Sequence, residues 1–226
     1  MLTPARLKEL PPIPRAAREV LALASDREAG AADFARVIEG DPRMTLQLLR
    51  VANSAYFARS QPALRVVDAV ITIGLRETAR IAVACALLGE LGPLDDALEL
   101  DDVLRHGLLV GRAWQPHGDA SGAAGTLVDA GVLALTLDGA SFEDYVARVP
   151  LAESPHELHE IERRLFGLDR CAVADLVAET WELPPALREP LGEWHVCRSP
   201  DSDLYVAFND VTSEFEHPLL RAYAGR

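Results

Sequence analysis

The chain has 226 residues, 49% of them hydrophobic and 25% charged, which is ordinary globular usage and argues against disorder. Its 22 basic and 35 acidic residues leave a net charge of −13, which repels phosphate backbones and anionic membrane surfaces, so nucleic acid is not the expected partner. Lys8 is the only lysine, and no Gly-Lys-Ser/Thr occurs, so a Walker-type phosphate loop is excluded.

Taken in chain order, the segments keep a helical period. The start MLTPARLKELPP carries charges where a secretory signal needs its apolar stretch, and export is not indicated. Asp41-Pro42 opens a helix whose Met44, Leu48, Val51, Ala52, Ala55 and Tyr56 line one face. Asn53-Ser54 at its end reads as a side-chain cap. The most apolar stretch, Val66 to Leu91, is interrupted by Asp68, Arg76, Glu77 and Arg80, and no uncharged run reaches the roughly eighteen residues of a membrane span. It reads as buried helix, with Cys85 as a small core residue.

The acidic segment GELGPLDDALELDD, residues 89–102, divides the chain, and we place one subdomain at 1–91 and a second at 92–226. Asp101-Asp102 opens the next helix, with Val103, Gly107, Val110 and Trp114 on one face and His106 on the same side. Ser154-Pro155 starts HELHEIERRLFG, where His156 and His159 stand at i and i+3, unlike the i and i+4 pair of a zinc protease. His117 and His217 read as surface residues. Breakers at Pro11-Pro12, Gly40, Gly74, Gly92-Pro93, Pro150, Gly167 and Pro184-Pro185 separate roughly ten helices of ordinary length in an all-α fold.

Cys85, Cys171 and Cys197 are far apart and odd in number, so neither a disulfide framework nor a zinc ribbon is suggested, and a reducing, cytoplasmic compartment is expected. Cys171 stands near a helix start, where a thiol is acidified, but no His or Asn pattern in the sequence marks it as a nucleophile.

Four segments in order resemble the HDOD family, signalling relatives of the HD-type metal-dependent phosphohydrolases. They are Leu10-Pro11-Pro12-Ile13-Pro14 with VIEGDPRMTLQLLRVANSAYF (37–57), DAVITIGLRETARIAVACAL (68–87), LRHGLLVGRAW (104–114) and GTLVDAGVL (125–133). LFGLDRCAVADLVAETWELPPALREPLGEWH is similar to the family's carboxy-terminal region, so the likeness spans nearly the whole chain. It implies an HDOD-specific helical half followed by an HD-like helical half, and signal transduction through protein contacts. The expected unit is free-standing, with sensing supplied by a partner.

The resemblance also implies where a metal site would stand. His106 matches the first histidine of the HD enzymes, Val128 replaces the histidine of the His-Asp pair, Asp129 matches its aspartate, and Asp210 matches the later aspartate. Arg170 stands at a position aligned with a further histidine of two-metal relatives, and His195 remains of a Trp-His pair. Valine has no lone pair and arginine stays protonated, so the ligand set is broken. We therefore expect no catalytic residue and no cofactor. The alternative is a residual metal-dependent phosphohydrolase acting on a nucleotide or other phosphoester, its divalent ion held by His106, Asp129 and Asp210. A third reading is a cleft that keeps a nucleotide unhydrolysed, with Arg170 on its phosphate. Asp129 is the only charge between Gly125 and Leu137, so it should be buried and paired, with His106 or Arg170 as its cation. A partner protein should dock on an apolar surface drawn from the ANSAYF and GLRETAR segments.

Overall fold

The computed structural model describes residues 13–26, 28–54, 57, 61–90, 100–125, 127–183, 185–193, 202–215 and 217–222. Ala55, Tyr56, Gly92-Pro93, His195 and Cys197 lie outside them, so the expectations placed on those residues have no structural counterpart here. Among the described residues every regular element is helical and no strand occurs. Backbone contacts group Ile13–Glu90 into one compact unit and the described residues from Leu100 onward into another.

The first unit contains α1 (Arg15–Ser25), α2 (Ala31–Glu39), α3 (Pro42–Ala52), α4 (Val66–Ile73) and α5 (Leu75–Glu90). Helix α3 begins where the sequence says it should. The Asp41 carboxylate accepts the N–H groups of Arg43 and Met44 at 2.9 and 3.1 Å, and Pro42 takes a first-turn position that lacks a bonded N–H anyway. Met44, Leu48, Val51 and Ala52 then face inward. The expected end cap is divided between two residues. Ser54 donates to the Val51 carbonyl, whereas Asn53 grips the loop beyond, accepting from the Ala63 N–H at 2.6 Å and donating to the Ala63 carbonyl at 3.0 Å. Gly74, at φ 90°, lets the chain turn sharply between α4 and α5, a conformation that a Cβ would strain. Helix α1 packs on α5 and α2, and α3 on α5 and α4, around Val20, Phe34, Ile38, Leu48, Val70 and Ile81.

Cys85 lies in this core, and burial pushes its thiol up to about 12. With almost no thiolate present near pH 8, where an ordinary thiol is about one quarter ionised, Cys85 should resist iodoacetamide in the native protein and react on unfolding. Peptide mapping after labelling in buffer and in denaturant checks this, and rapid native labelling at Cys85 would contradict it.

The second unit contains α6 (Leu100–Trp114), α7 (Asp119–Gly125), α8 (Ala130–Leu135), α9 (Gly139–Arg148), α10 (Pro155–Phe166), α11 (Arg170–Thr180), α12 (Pro185–Glu193), α13 (Asp203–Ser213) and α14 (Pro218–Arg221). Caps again mark the starts: Ser154, Asp169 and Ser202 accept N–H groups of Glu157, Ala172 and Tyr205. Helix α6 packs on α7 and α13, and its predicted face of Val103, Gly107, Val110 and Trp114 is buried. Trp114 donates from Nε1 to the Leu204 carbonyl at 2.8 Å, which ties α6 to the start of α13. Two glycines let helix backbones approach closely. Gly125 on α7 lies against Gly111 on α6, and Gly131 on α8 lies against the backbone of Arg170 on α11. No single described helix is long and apolar enough to cross a membrane.

Candidate functional site

His106 projects from the buried face of α6 and is fully enclosed. Asp129 is the residue before α8, a position from which a carboxylate ordinarily caps its own helix. Here it makes no cap bond and reaches instead to His106 Nδ1, with Oδ2 at 2.8 Å. The other ring nitrogen, Nε2, lies 2.8 Å from the Thr212 hydroxyl on α13. Phe208 and Phe215 set their rings nearly perpendicular to the imidazole at centroid distances of 5.7 and 5.0 Å. Val128 is buried next to Asp129 in the chain, as are Leu127, Ala130 and Gly131.

The expected pairing of Asp129 is present, and its partner is His106. Both ring nitrogens are engaged, so neither presents a lone pair to an ion without breaking a buried hydrogen bond. Asp210 does not join this group. Phe208 and Thr212, four residues apart, share the inward face of α13, and Asp210 lies halfway between them in sequence and so on the opposite, exposed side. The expectation that Asp210 supplies the later carboxylate is therefore corrected: Thr212 occupies the inward position. With Val128 in the second place and Asp210 turned away, these residues do not fit the metal of the HD enzymes.

Arg170 serves a different carboxylate. It opens α11, is buried, and donates from Nε to Glu162 Oε1 at 2.6 Å and from its backbone N–H to Glu162 Oε2 at 2.9 Å. The Tyr145 hydroxyl donates to Glu162 Oε1 at 2.7 Å and also meets Arg170 Nη2. Burial drives the Tyr145 phenol well above its ordinary value, against the pull of the Arg170 charge, so it stays a neutral donor. An arginine held in this way offers no open face to a phosphate, which corrects the nucleotide reading.

Thr212, Glu162 and Tyr145 were not singled out in the sequence. Glu162 left a signal, standing midway between Leu158 and Phe166 at four-residue spacing, a carboxylate on an apolar stripe. The other histidines divide. His156 is exposed beside Glu160, His159 is buried, and His217, expected at the surface, is half-buried at the start of α14.

Residues 10–196 match the model of the HDOD domain family. Among solved structures, a protein from Shewanella amazonensis SB2B provisionally named a phosphohydrolase is 21% identical at a TM-score of 0.66, over 92% of this chain and 79% of its own. An HDOD domain protein of unknown function from Geobacter sulfurreducens is 21% identical at 0.66, over 96% of this chain and 76% of its own. A protein from Marinobacter aquaeolei VT8, provisionally named a signal transduction protein, is 22% identical at 0.69, over 97% of this chain and 52% of its own. At these identities the likeness is one of fold. No functionally curated protein matches the chain.

Proposed function

This chain belongs to the HDOD domain family, and within that family we propose a bacterial signal-transduction module of the cytoplasm that works by binding a partner protein rather than by turnover. The observation that carries this reading is the closed arrangement around His106, in which Asp129 and Thr212 occupy both ring nitrogens and two phenylalanines flank the ring. An HD-type hydrolase needs this pocket open to a metal and a phosphate, and here it is packed as core. Cys85 and Cys171, both buried as thiols, suit a reducing compartment.

For the partner, the expected surface shifts. Thr78, Ala79 and Arg80 of the GLRETAR segment are buried, whereas Leu46, Leu64 and Ile71 in the same unit are 68, 84 and 68% exposed. Large apolar side chains left in water at this level support docking through that unit.

The test is a phosphomonoester and phosphodiester screen with added manganese or magnesium, run on the wild type and on Asp129→Ala. Equal, background rates are expected. Metal-dependent hydrolysis lost in Asp129→Ala would overturn the reading in favour of the residual hydrolase. In parallel, Leu46→Glu, Leu64→Glu and Ile71→Glu should leave the unfolding midpoint nearly unchanged, within about 0.5 kcal/mol as for other exposed sites, while weakening partner capture.

A further inference from the structure

We propose that His159, Asp169 and Cys171 form a binding site for a zinc ion, separate from the His106–Asp129 pair. The three residues lie on one helical hairpin. His159 faces inward from α10, Asp169 is the N-cap of α11, and Cys171 stands in its first turn, with Gly167 at φ 86° closing α10 between them. His159 Nε2 lies 3.7 Å from Cys171 Sγ, and His159 Nδ1 lies 3.5 Å from Asp169 Oδ2. One donor atom from each residue falls within 4.8 Å of the other two. In a tetrahedral zinc shell, with Zn–S about 2.3 Å and Zn–N about 2.0 Å, neighbouring sulfur and nitrogen ligands stand roughly 3.5 Å apart. The thiol and imidazole are thus already spaced as ligands, and an inward movement of the carboxylate from within 4.8 Å completes a three-residue set.

The donor types select the ion. A thiolate, an imidazole and a carboxylate together suit zinc, whereas magnesium and calcium prefer oxygen alone. His159 and Cys171 are buried and Asp169 is partly open, so the site has dry walls and one side from which an ion and a fourth, water ligand can enter. The carboxylate is aimed by its neighbours: Arg163 Nε donates to Oδ2 at 2.9 Å and the Ala172 N–H to Oδ1 at 2.9 Å. Two oxygens carry enough lone pairs to keep these donors and still meet an ion. On binding, the thiol releases its proton to solvent and the ion joins α10 to α11.

The experiment uses the full chain after chelator treatment, titrated with zinc against a chromophoric chelator and separately with cobalt to record the near-ultraviolet thiolate-to-cobalt band. A single ion per chain and a thiolate band are expected. Cys171→Ala should abolish the band, although Cys85 and Cys197 remain. His159→Gln and Asp169→Asn should each weaken zinc binding by more than about 100-fold, beyond what loss of a supporting residue alone costs. Asn still caps a helix, so Asp169→Asn separates ligand loss from unfolding, and the unfolding midpoint of each ion-free variant is measured beside it. Asp129→Asn should bind like the wild type. Binding that survives Cys171→Ala and His159→Gln, or no binding at micromolar zinc, would overturn the proposal, as would binding that disappears only in Asp129→Asn.

Discussion

Glu162→Leu should destabilise the protein by about 3–5 kcal/mol, the range seen when one partner of a buried ion pair is deleted. Glu162 is 0% exposed and Arg170 4%. Removal of the carboxylate takes the acceptor from three donors at once: the Arg170 Nε–H, the Arg170 backbone N–H and the Tyr145 hydroxyl. The guanidinium cannot escape by losing its proton, because its pKa is too high, so a full charge is left in the core. Glu162→Gln should cost less, since an amide oxygen still accepts one of these bonds. The double variant Glu162→Leu/Arg170→Leu should lie well above Glu162→Leu in stability, because it removes the charge along with its partner. Urea unfolding of the four proteins measures the set. A Glu162→Leu loss below about 1 kcal/mol, the value of an ordinary hydrogen bond, would show that the pair is not held in the core as described.

Gly131→Ala is expected to cost about 2–3 kcal/mol or more, at the upper end of what overpacking a core does. A Cβ on Gly131 would fall 2.1 Å from the Arg170 carbonyl oxygen and 2.9 Å from its carbonyl carbon. Both belong to the backbone of α11, so no side chain can swing aside and α8 must separate from α11. Arg170 also holds Glu162, so the same displacement loosens the ion pair, and Gly131→Ala and Glu162→Leu should not be additive. Gly139→Ala is the control. Gly139 is the exposed first residue of α9, and a Cβ there meets nothing within 4 Å. That substitution should be neutral or stabilising by up to about 1 kcal/mol, since alanine loses less chain entropy on folding. Thermal or urea midpoints decide between them, and equal effects at the two glycines would refute the close crossing of α8 and α11.

The site was partly legible in the linear sequence. A lone aspartate in an apolar run had to be buried and paired, and it is, on His106. Val128 offers no ligand atom where the resemblance to the HD enzymes implies a histidine. Asp210 misled, because family position does not fix which face of a helix turns inward, and two residues along α13 reverse it. His159 and Cys171 are each visible in the linear sequence, yet their meeting depends on how α10 folds back against α11.

By itself, then, the sequence determined the all-helical class and the family, and it placed the helix starts at Asp41-Pro42 and Ser154-Pro155, because caps and breakers such as these and Gly74 act on backbone groups only a few residues away. Only the tertiary structure decided which polar groups share the interior. His106 meets Asp129 at 23 residues and Thr212 at 106, and Glu162 rather than Asp129 holds Arg170 through its guanidinium and its N–H. A buried charge must find a partner, but which partner it finds is set by helix crossings, and here those crossings depend on glycines with no side chain to keep neighbouring backbones apart.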